Sequence, residues 1–277
     1  MRVTIFGATG LLGKALMTEV KQESVRGLSS KDADIRDPKQ VSDAVQETRP
    51  DWIVLSAAYT DVDGCETDRE LAFDVNCDGA INVARSAKQQ GAKLLFVSTD
   101  YVFDGRNTVP YETQDVRAPR SVYGQSKAEA EVLLTELLPD CCIVRTSWLF
   151  GGGGKCFPDT ILKLAEKRPE IEVVDDQRGS PTHTVDLARA INQLCDANAT
   201  GIVHATNRGE CTWFGFAEEI IREAGLSTIV RPTTSAKFVR PAERPQYSVL
   251  SPASLEKYGI SMPKWQEALR SYLAKRS

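Results

Sequence analysis

Short apolar runs alternate along the first half of the chain with stretches whose apolar residues recur at helical spacing. Runs at 3–6, 52–55, 93–97 and 142–144 are almost continuously apolar, and a weaker one lies at 25–28. Between them, 11–20, 41–47, 71–90 and 128–138 repeat apolar side chains a helical turn apart; in the longest, Ala72, Val75, Ala80, Val83, Ala84 and Ala87 mark the face. Strands without polar alternation are covered on both faces, so this order predicts a parallel sheet with helices on either side. Right-handed crossovers make it doubly wound. After the glycines at 151–154 the texture changes. Prolines recur at 158, 169, 181, 232, 241, 245, 252 and 263, and helical stretches at 159–166, 185–195, 214–224 and 264–275 alternate with short strands. The pattern predicts one large α/β unit and a smaller mixed lobe.

The first run leads into Gly7-Ala8-Thr9-Gly10-Leu11-Leu12-Gly13 and then a helix. Glycines at this spacing allow a tight turn, close approach of backbone to a pyrophosphate, and close packing of helix on strand. The free N–H groups of the helix start suit an anion. A glycine motif can also be an ordinary turn, but here strand, turn and helix follow one another. The motif predicts a Rossmann-type dinucleotide site, with residues 1–147 and 183–206 in the cofactor domain and 148–182 and 207–277 in a substrate lobe. An acidic residue after the second strand would hold the ribose 2′-hydroxyl of NAD(H). The chain instead has Ser29, Ser30 and Lys31, which favours the 2′-phosphate of NADP(H), with NAD(H) the alternative. Asp34 and Ile35 either bracket the adenine or form a surface turn.

The run at 93–97 ends in Ser98-Thr99-Asp100-Tyr101-Val102-Phe103-Asp104-Gly105, and Tyr123 and Lys127 follow four residues apart, on one face of a helix. A free phenol titrates near 10, too high for efficient proton exchange at neutral pH. An ammonium a turn away would draw it down. The Thr99 hydroxyl, at the carboxyl edge of the sheet, could polarise a carbonyl beside the phenol. A Tyr–Lys pair at this spacing is common on exposed helices. A glycine turn, a strand ending in Thr and such a pair in this order are much rarer together.

This order resembles the extended short-chain dehydrogenase/reductases, whose catalytic triad matches Thr99, Tyr123 and Lys127. Longer blocks resemble one branch, the dTDP-4-dehydrorhamnose reductase family: Ser56-Ala57-Ala58-Tyr59-Thr60-Asp61-Val62-Asp63, the block from Ser98 to Gly105, Arg145-Thr146-Ser147-Trp148-Leu149-Phe150-Gly151, Asp176-Gln177-Arg178-Gly179-Ser180-Pro181-Thr182, and Arg240-Pro241-Ala242-Glu243-Arg244-Pro245. The resemblance implies hydride transfer to the C4 keto carbon of dTDP-4-dehydro-β-L-rhamnose, giving dTDP-L-rhamnose. Tyr123 would supply the proton, Lys127 would tune Tyr123 and hold the nicotinamide ribose, and Thr99 would bond the keto oxygen. Thr60, Val62, Tyr101, Phe103 and Trp148 would lie against the substrate, although Trp148 could equally be a core aromatic. Ala57, Ala58, Tyr59 and Asn76 would support the cofactor, or serve packing. Lys237, Arg240 and Arg244 are candidates for the substrate diphosphate or are solvated loop cations. Gln177 and Arg178 are ligand contacts or hinge scaffolding.

Two positions depart from the branch. Ala15 stands where some bacterial members carry a Glu tied to a magnesium-bridged dimer, and Cys156-Phe157 stands where Asn-Phe is frequent. A homodimer remains open and no metal site is expected. A non-catalytic subunit like the methionine adenosyltransferase beta subunit, and a reductase of another 4-keto nucleotide sugar, are the competing readings. The intact Thr99, Tyr123 and Lys127 speak for an enzyme. An epimerase needs a further acid/base pair, and only His183 of the two histidines lies near a recognised block.

Charge and cysteines narrow the picture further. Lys+Arg total 34 against Asp+Glu 38, a net charge of −4, so no basic excess exists to meet a nucleic-acid backbone. No apolar run is long enough to cross a bilayer, and the run at 3–6 is too short for an export signal. Seven cysteines, with one adjacent pair and no CxxC, fit neither a disulfide framework nor a zinc knuckle, so the expected compartment is the reducing cytoplasm.

Overall fold

The computed structural model describes residues 1–275. Six parallel strands form the main sheet: β1 (Arg2–Phe6), β2 (Ser24–Leu28), β3 (Trp52–Leu55), β4 (Lys93–Thr99), β5 (Cys142–Thr146) and β6 (Gly201–His204). Their spatial order is β6-β5-β4-β3-β1-β2, so the chain winds outwards in both directions from β1 and β3. All four β3 residues are buried, as the unbroken Trp52-Ile53-Val54-Leu55 run requires. The weaker run forms β2 at the edge, where only Leu28 is buried.

Helices α1 (Leu11–Glu19), α2 (Pro38–Thr48), α3 (Gly79–Gln90) and α4 (Val122–Leu137) lie between the early strands, and α5 (Phe157–Ala165), α6 (Thr184–Asp196), α7 (Trp213–Glu223) and α8 (Trp265–Ala274) follow. On one face of the sheet, Leu12 and Leu16 of α1 and Leu187, Ile191 and Leu194 of α6 cover Val3, Ile5 and Val54. On the other, Val41 and Val45 of α2, Val83 and Ala84 of α3 and Leu134 of α4 cover Phe6, Ile53, Leu55 and Phe96. Burying a side chain of this size contributes roughly 1.5–3 kcal/mol each.

The helical stretch expected at 71–90 is not one regular helix. A short helix, Arg69–Phe73, passes through a wide π turn at Asp74–Asp78 into α3. The wide turn carries Asn76 inwards, where its Oδ1 accepts from Tyr59 N at 2.8 Å and its Nδ2 donates to Tyr59 O and Ser126 Oγ. A buried amide needs these partners, and the extra residue in the turn lets it reach them.

A separate apolar cluster gathers Phe150, Ile161, Ile171, Phe216, Ile220, Trp265 and Leu269 from α5, α7, α8 and the strands Leu149–Phe150 and Glu170–Val174. The latter strand pairs in parallel with Ile229–Thr233. Two further pairs matter for the site. Leu149–Phe150 runs beside Thr182–His183, and Arg178–Gly179 pairs antiparallel with Cys211–Thr212.

Candidate active site

A cleft of about 760 Å³ crosses the carboxyl ends of β1 to β5, where open α/β sheets bind ligands. Its first wall is mostly backbone. Gly7 has φ +90°, and a Cβ there would stand 2.5 Å from Ala57 N. A Cβ on Gly13 would overlap the Gly7 carbonyl oxygen. The turn is pinned by Gly7 N and Ala8 N donating to Leu28 O, and by Gly10 N donating to Gly7 O at 3.0 Å. Helix α1 starts at Gly10 with no side-chain cap and no acidic residue in its first turn, so its leading N–H groups stay available to an anion.

Gly7, Thr9, Gly10, Leu11, Leu12 and Gly13 line this wall, together with Ser29, Ser30, Asp34, Ile35, Ala57 and Ala58. Lys31 does not; it is exposed and outside the lining. Arg36, absent from the sequence expectations, lines the wall instead and is paired with Asp34 at 2.6 Å. That pairing holds the Asp34 carboxyl below the usual carboxylate range. The nearest acid after β2, Asp32, is drawn onto Ser29, accepting from its N at 2.8 Å and its Oγ at 2.6 Å. Tyr59 and Asn76 stay outside the lining; Asn76 acts behind it, clamping the Tyr59 backbone.

The second group of side chains lies where β4 ends against α4. Thr99, Tyr123 and Lys127 all line the cleft. Ser121 caps α4, accepting from Gly124 N, so the helix begins one residue before Tyr123 and presents Tyr123 and Lys127 on successive turns. Lys127 is almost wholly buried, with Nζ donating to Val97 O at 2.7 Å and lying 3.8 Å from the Phe96 ring centroid. Burial lowers its pKa from 10.5 to about 7, and Glu131, a turn further on, opposes the shift. Burial pushes the Tyr123 phenol above its usual value, against a smaller opposing contribution from a hydrogen bond with Thr99. The downward pull expected from Lys127 is not seen: its Nζ is turned to Val97 O, and loss of water governs the phenol. Tyr123 rests as a phenol with a proton to give.

Asp100 is a wall residue that sequence reasoning passed over, although it sits inside a recognised block. It is buried, and its Oδ1 accepts from Thr99 Oγ1 at 3.0 Å. Burial raises its pKa to about 6. Thr99 Oγ1 also accepts from Tyr101 N at 3.2 Å, so its hydroxyl is oriented on both sides. Behind this corner, buried Glu131 accepts from Ser98 Oγ, from Arg145 Nε and Nη2, and from Arg117 Nη1, tying β4, β5 and α4 into one block.

The remaining wall is lined by Thr60, Val62, Tyr101, Ser147, Trp148, Leu149 and Lys155. Phe103 does not reach it. The 3-10 turn Asp100–Val102 carries Phe103 to the opposite side, where it is 2% exposed and stacked on Tyr111 at 4.2 Å. Lys237 is spent on Glu172, and Arg240 and Arg244 converge on Asp63, at 3.3 and 3.0 Å. Arg178 pairs with Glu210 at the surface, whereas Gln177 is buried. Ala15 packs in the core under α1. Cys156 Sγ contacts Tyr272 Oη at 3.5 Å, away from the lining. Among the described residues no group of three or more His, Cys, Asp or Glu is placed to hold a metal, and no helix is long and apolar enough to cross a membrane.

This arrangement can be compared with known proteins. The family profile for the RmlD substrate binding domain matches residues 1–277. A dTDP-4-dehydrorhamnose reductase of Mycobacterium tuberculosis is 40% identical, over 99% of this chain and 92% of its own. The chain belongs to the dTDP-4-dehydrorhamnose reductase family. The spore coat polysaccharide biosynthesis protein SpsK of Bacillus subtilis is 42% identical, over all of this chain and 98% of its own. A Bacillus anthracis dTDP-4-dehydrorhamnose reductase, solved in complex with NADP, superposes with a TM-score of 0.96 at 41% identity, covering 99% of both chains. The shared architecture of this reductase family includes the parallel sheet with helices on both faces.

Proposed function

We propose that the protein reduces the C4 keto group of dTDP-4-dehydro-β-L-rhamnose with NADPH, yielding dTDP-L-rhamnose. The observation that carries this reading is the meeting of Thr99, Tyr123 and Lys127 in the same cleft as the glycine turn and Trp148. The relatives named above supply the substrate class. Residues 1–147 and 183–206 serve the cofactor, and 148–182 and 207–277 serve the substrate.

The backbone wall fits a dinucleotide. The tight backbone turn that Gly7 and Gly13 permit and the uncapped start of α1 suit its pyrophosphate, and Ser29, Ser30 and Arg36 suit a 2′-phosphate. When bound, the reduced nicotinamide supplies the hydride that ends on the keto carbon. Tyr123 Oη gives its proton to the keto oxygen as negative charge develops there, and Lys127 stabilises the phenolate left behind. Thr99 Oγ1 steadies the same oxygen. The phenol's raised pKa suits this direction of reaction, because a proton donor must arrive protonated. Asp100 Oδ1 accepts the Thr99 hydroxyl hydrogen bond while ionised; once protonated it no longer competes for that hydrogen, and the hydroxyl can turn to the keto oxygen. Trp148 and Val62 meet the apolar parts of the sugar.

The test is NADPH oxidation with the dTDP-4-keto-6-deoxy sugar generated in the same vessel, beside its UDP and GDP counterparts. Rapid oxidation with the dTDP sugar and formation of dTDP-L-rhamnose are expected. NADPH binding without oxidation would remove the catalytic reading, and equal rates with all three nucleotides would remove the assignment of substrate.

A further inference from the structure

Trp148 has φ +47°, a left-handed conformation that a bulky side chain adopts only when its surroundings impose it. Three neighbours do so. Thr182 N donates to Trp148 O at 3.1 Å, fixing the main chain. Gly179 lies so close that a Cβ there would stand 2.5 Å from Trp148 Cε2. Trp213 stacks on the indole with ring centroids 3.6 Å apart and planes 6° from parallel. So little offset is not what two free aromatic rings prefer, since their quadrupoles favour offset or edge-to-face pairs. The stack is therefore held by what lies around it. The antiparallel pair Arg178–Gly179 and Cys211–Thr212 delivers Gly179 to the ring and starts α7 at Trp213, with Thr212 capping the helix by accepting from Gly215 N. Phe157 of α5 tilts against Trp213, with ring centroids 4.5 Å apart.

Trp148 lines the cleft and Trp213 does not. We propose that Trp213 is a positioning residue for the nucleotide sugar: it occupies one face of the Trp148 indole and sets the pose in which the rest of that indole meets the apolar face of the deoxyhexose. The sugar-reading surface is then a two-tryptophan unit anchored in the smaller lobe's core. This rests on the function proposed above, because the ligand is its substrate. Removing Trp213 frees the Trp148 side chain to rotate while leaving the glycine turn and the Thr99–Tyr123–Lys127 corner untouched. Its effect falls on sugar binding and leaves the cofactor alone.

The experiment is a double-mutant cycle over W148A, W213A and W148A/W213A, with W213F as the conservative variant. KM for the dTDP-4-keto-6-deoxy sugar, kcat and the NADPH dissociation constant are measured for each, with circular dichroism of the coupled indoles as the structural readout. W213A is expected to raise the sugar KM about tenfold with NADPH affinity unchanged, and W213F to recover most of the loss. The double variant should be no worse than W148A, because the two residues act as one unit. In W213A, loss of the indole coupling without a change in sugar KM overturns the proposal, as do additive KM effects in the cycle. If W213A is too unstable to assay, W213L takes its place in the same cycle with the same two deciding outcomes. Wild-type protein that binds NADPH but turns over no 4-keto sugar fails the function itself and this inference with it. Wild-type turnover with an unmoved W213A KM fails this inference alone.

Discussion

The two walls of the cleft are built by opposite means. The cofactor wall is made largely by the absence of side chains: at Gly7 and Gly13 neighbouring backbone occupies the space a Cβ would need. Its glycine motif is contained in seven consecutive residues, although Leu28 and Ala57 close against it from the next strands. The substrate wall is made by large side chains from distant segments, with Trp148, Gly179 and Trp213 spanning 65 positions and meeting only through short strand pairs. A wall of backbone tolerates no addition, whereas a wall of stacked side chains tolerates little removal. Between them, at the end of β4, lies the corner of Thr99, Tyr123 and Lys127.

That contrast can be broken at several points. Tyr123→Phe removes the proton donor from the corner and neither wall, so turnover should fall by about 10²–10⁴-fold while NADPH still binds. Near-normal steady-state rates in this variant would reject Tyr123 as the acid. Gly13→Ala adds one carbon to the backbone wall. Overpacking against a fixed carbonyl costs about 1–3 kcal/mol, so NADPH affinity should drop by roughly 10–100-fold, read by fluorescence titration. Sugar binding to this variant should suffer far less, and an equal loss of both ligands would mean that the walls are not separable.

A smaller effect is expected from Arg36→Gln. Its guanidinium is half exposed and already shared with Asp34, so the preference for NADPH over NADH should fall by about tenfold at most. An unchanged ratio of kcat/KM for the two cofactors would leave Ser29 and Ser30 as the readers. Lys31→Glu, at an exposed position outside the cleft, should shift that ratio less than Arg36→Gln.

The smallest effect concerns stability behind the corner. Burial and neighbouring Arg145 pull the His204 pKa from 6.5 down to about 3. Between those values the unfolded chain takes a proton that the folded protein refuses, so this group's contribution is complete above pH 6.5 and is lost as pH falls towards 3. The thermal midpoint of His204→Asn should therefore fall less steeply than wild type between pH 6.5 and 4, by a few degrees overall, at about 2–4 °C per kcal/mol. Parallel slopes in the two proteins would show that His204 is not the group responsible.

Most of the large sheet was legible without coordinates. Continuous apolar runs can satisfy both faces of a strand only inside a parallel sheet, and the five runs read from the sequence became β1 to β5. The glycine turn was legible because strand, glycines and helix start follow one another within a short stretch of chain, even though Leu28 and Ala57 are what close around Gly7. The Tyr123–Lys127 spacing likewise needs nothing beyond a helix. Side-chain direction in tight turns was not legible. Tyr101 and Phe103 belong to one block of sequence, yet the turn at Asp100–Val102 sends the first to the cleft and the second into the core. Arg36 and Asp100 escaped notice because only three-dimensional proximity gives them partners. Local periodicity and spacing thus decide which elements form and where a phosphate turn or a catalytic helix begins. Tertiary packing alone decides which face of a turn meets the cleft, which cation is already spent, and that a tryptophan 65 residues away stacks on the one that lines the cleft. Those outcomes depend on contacts between residues far apart in the chain, and no local pattern encodes such contacts.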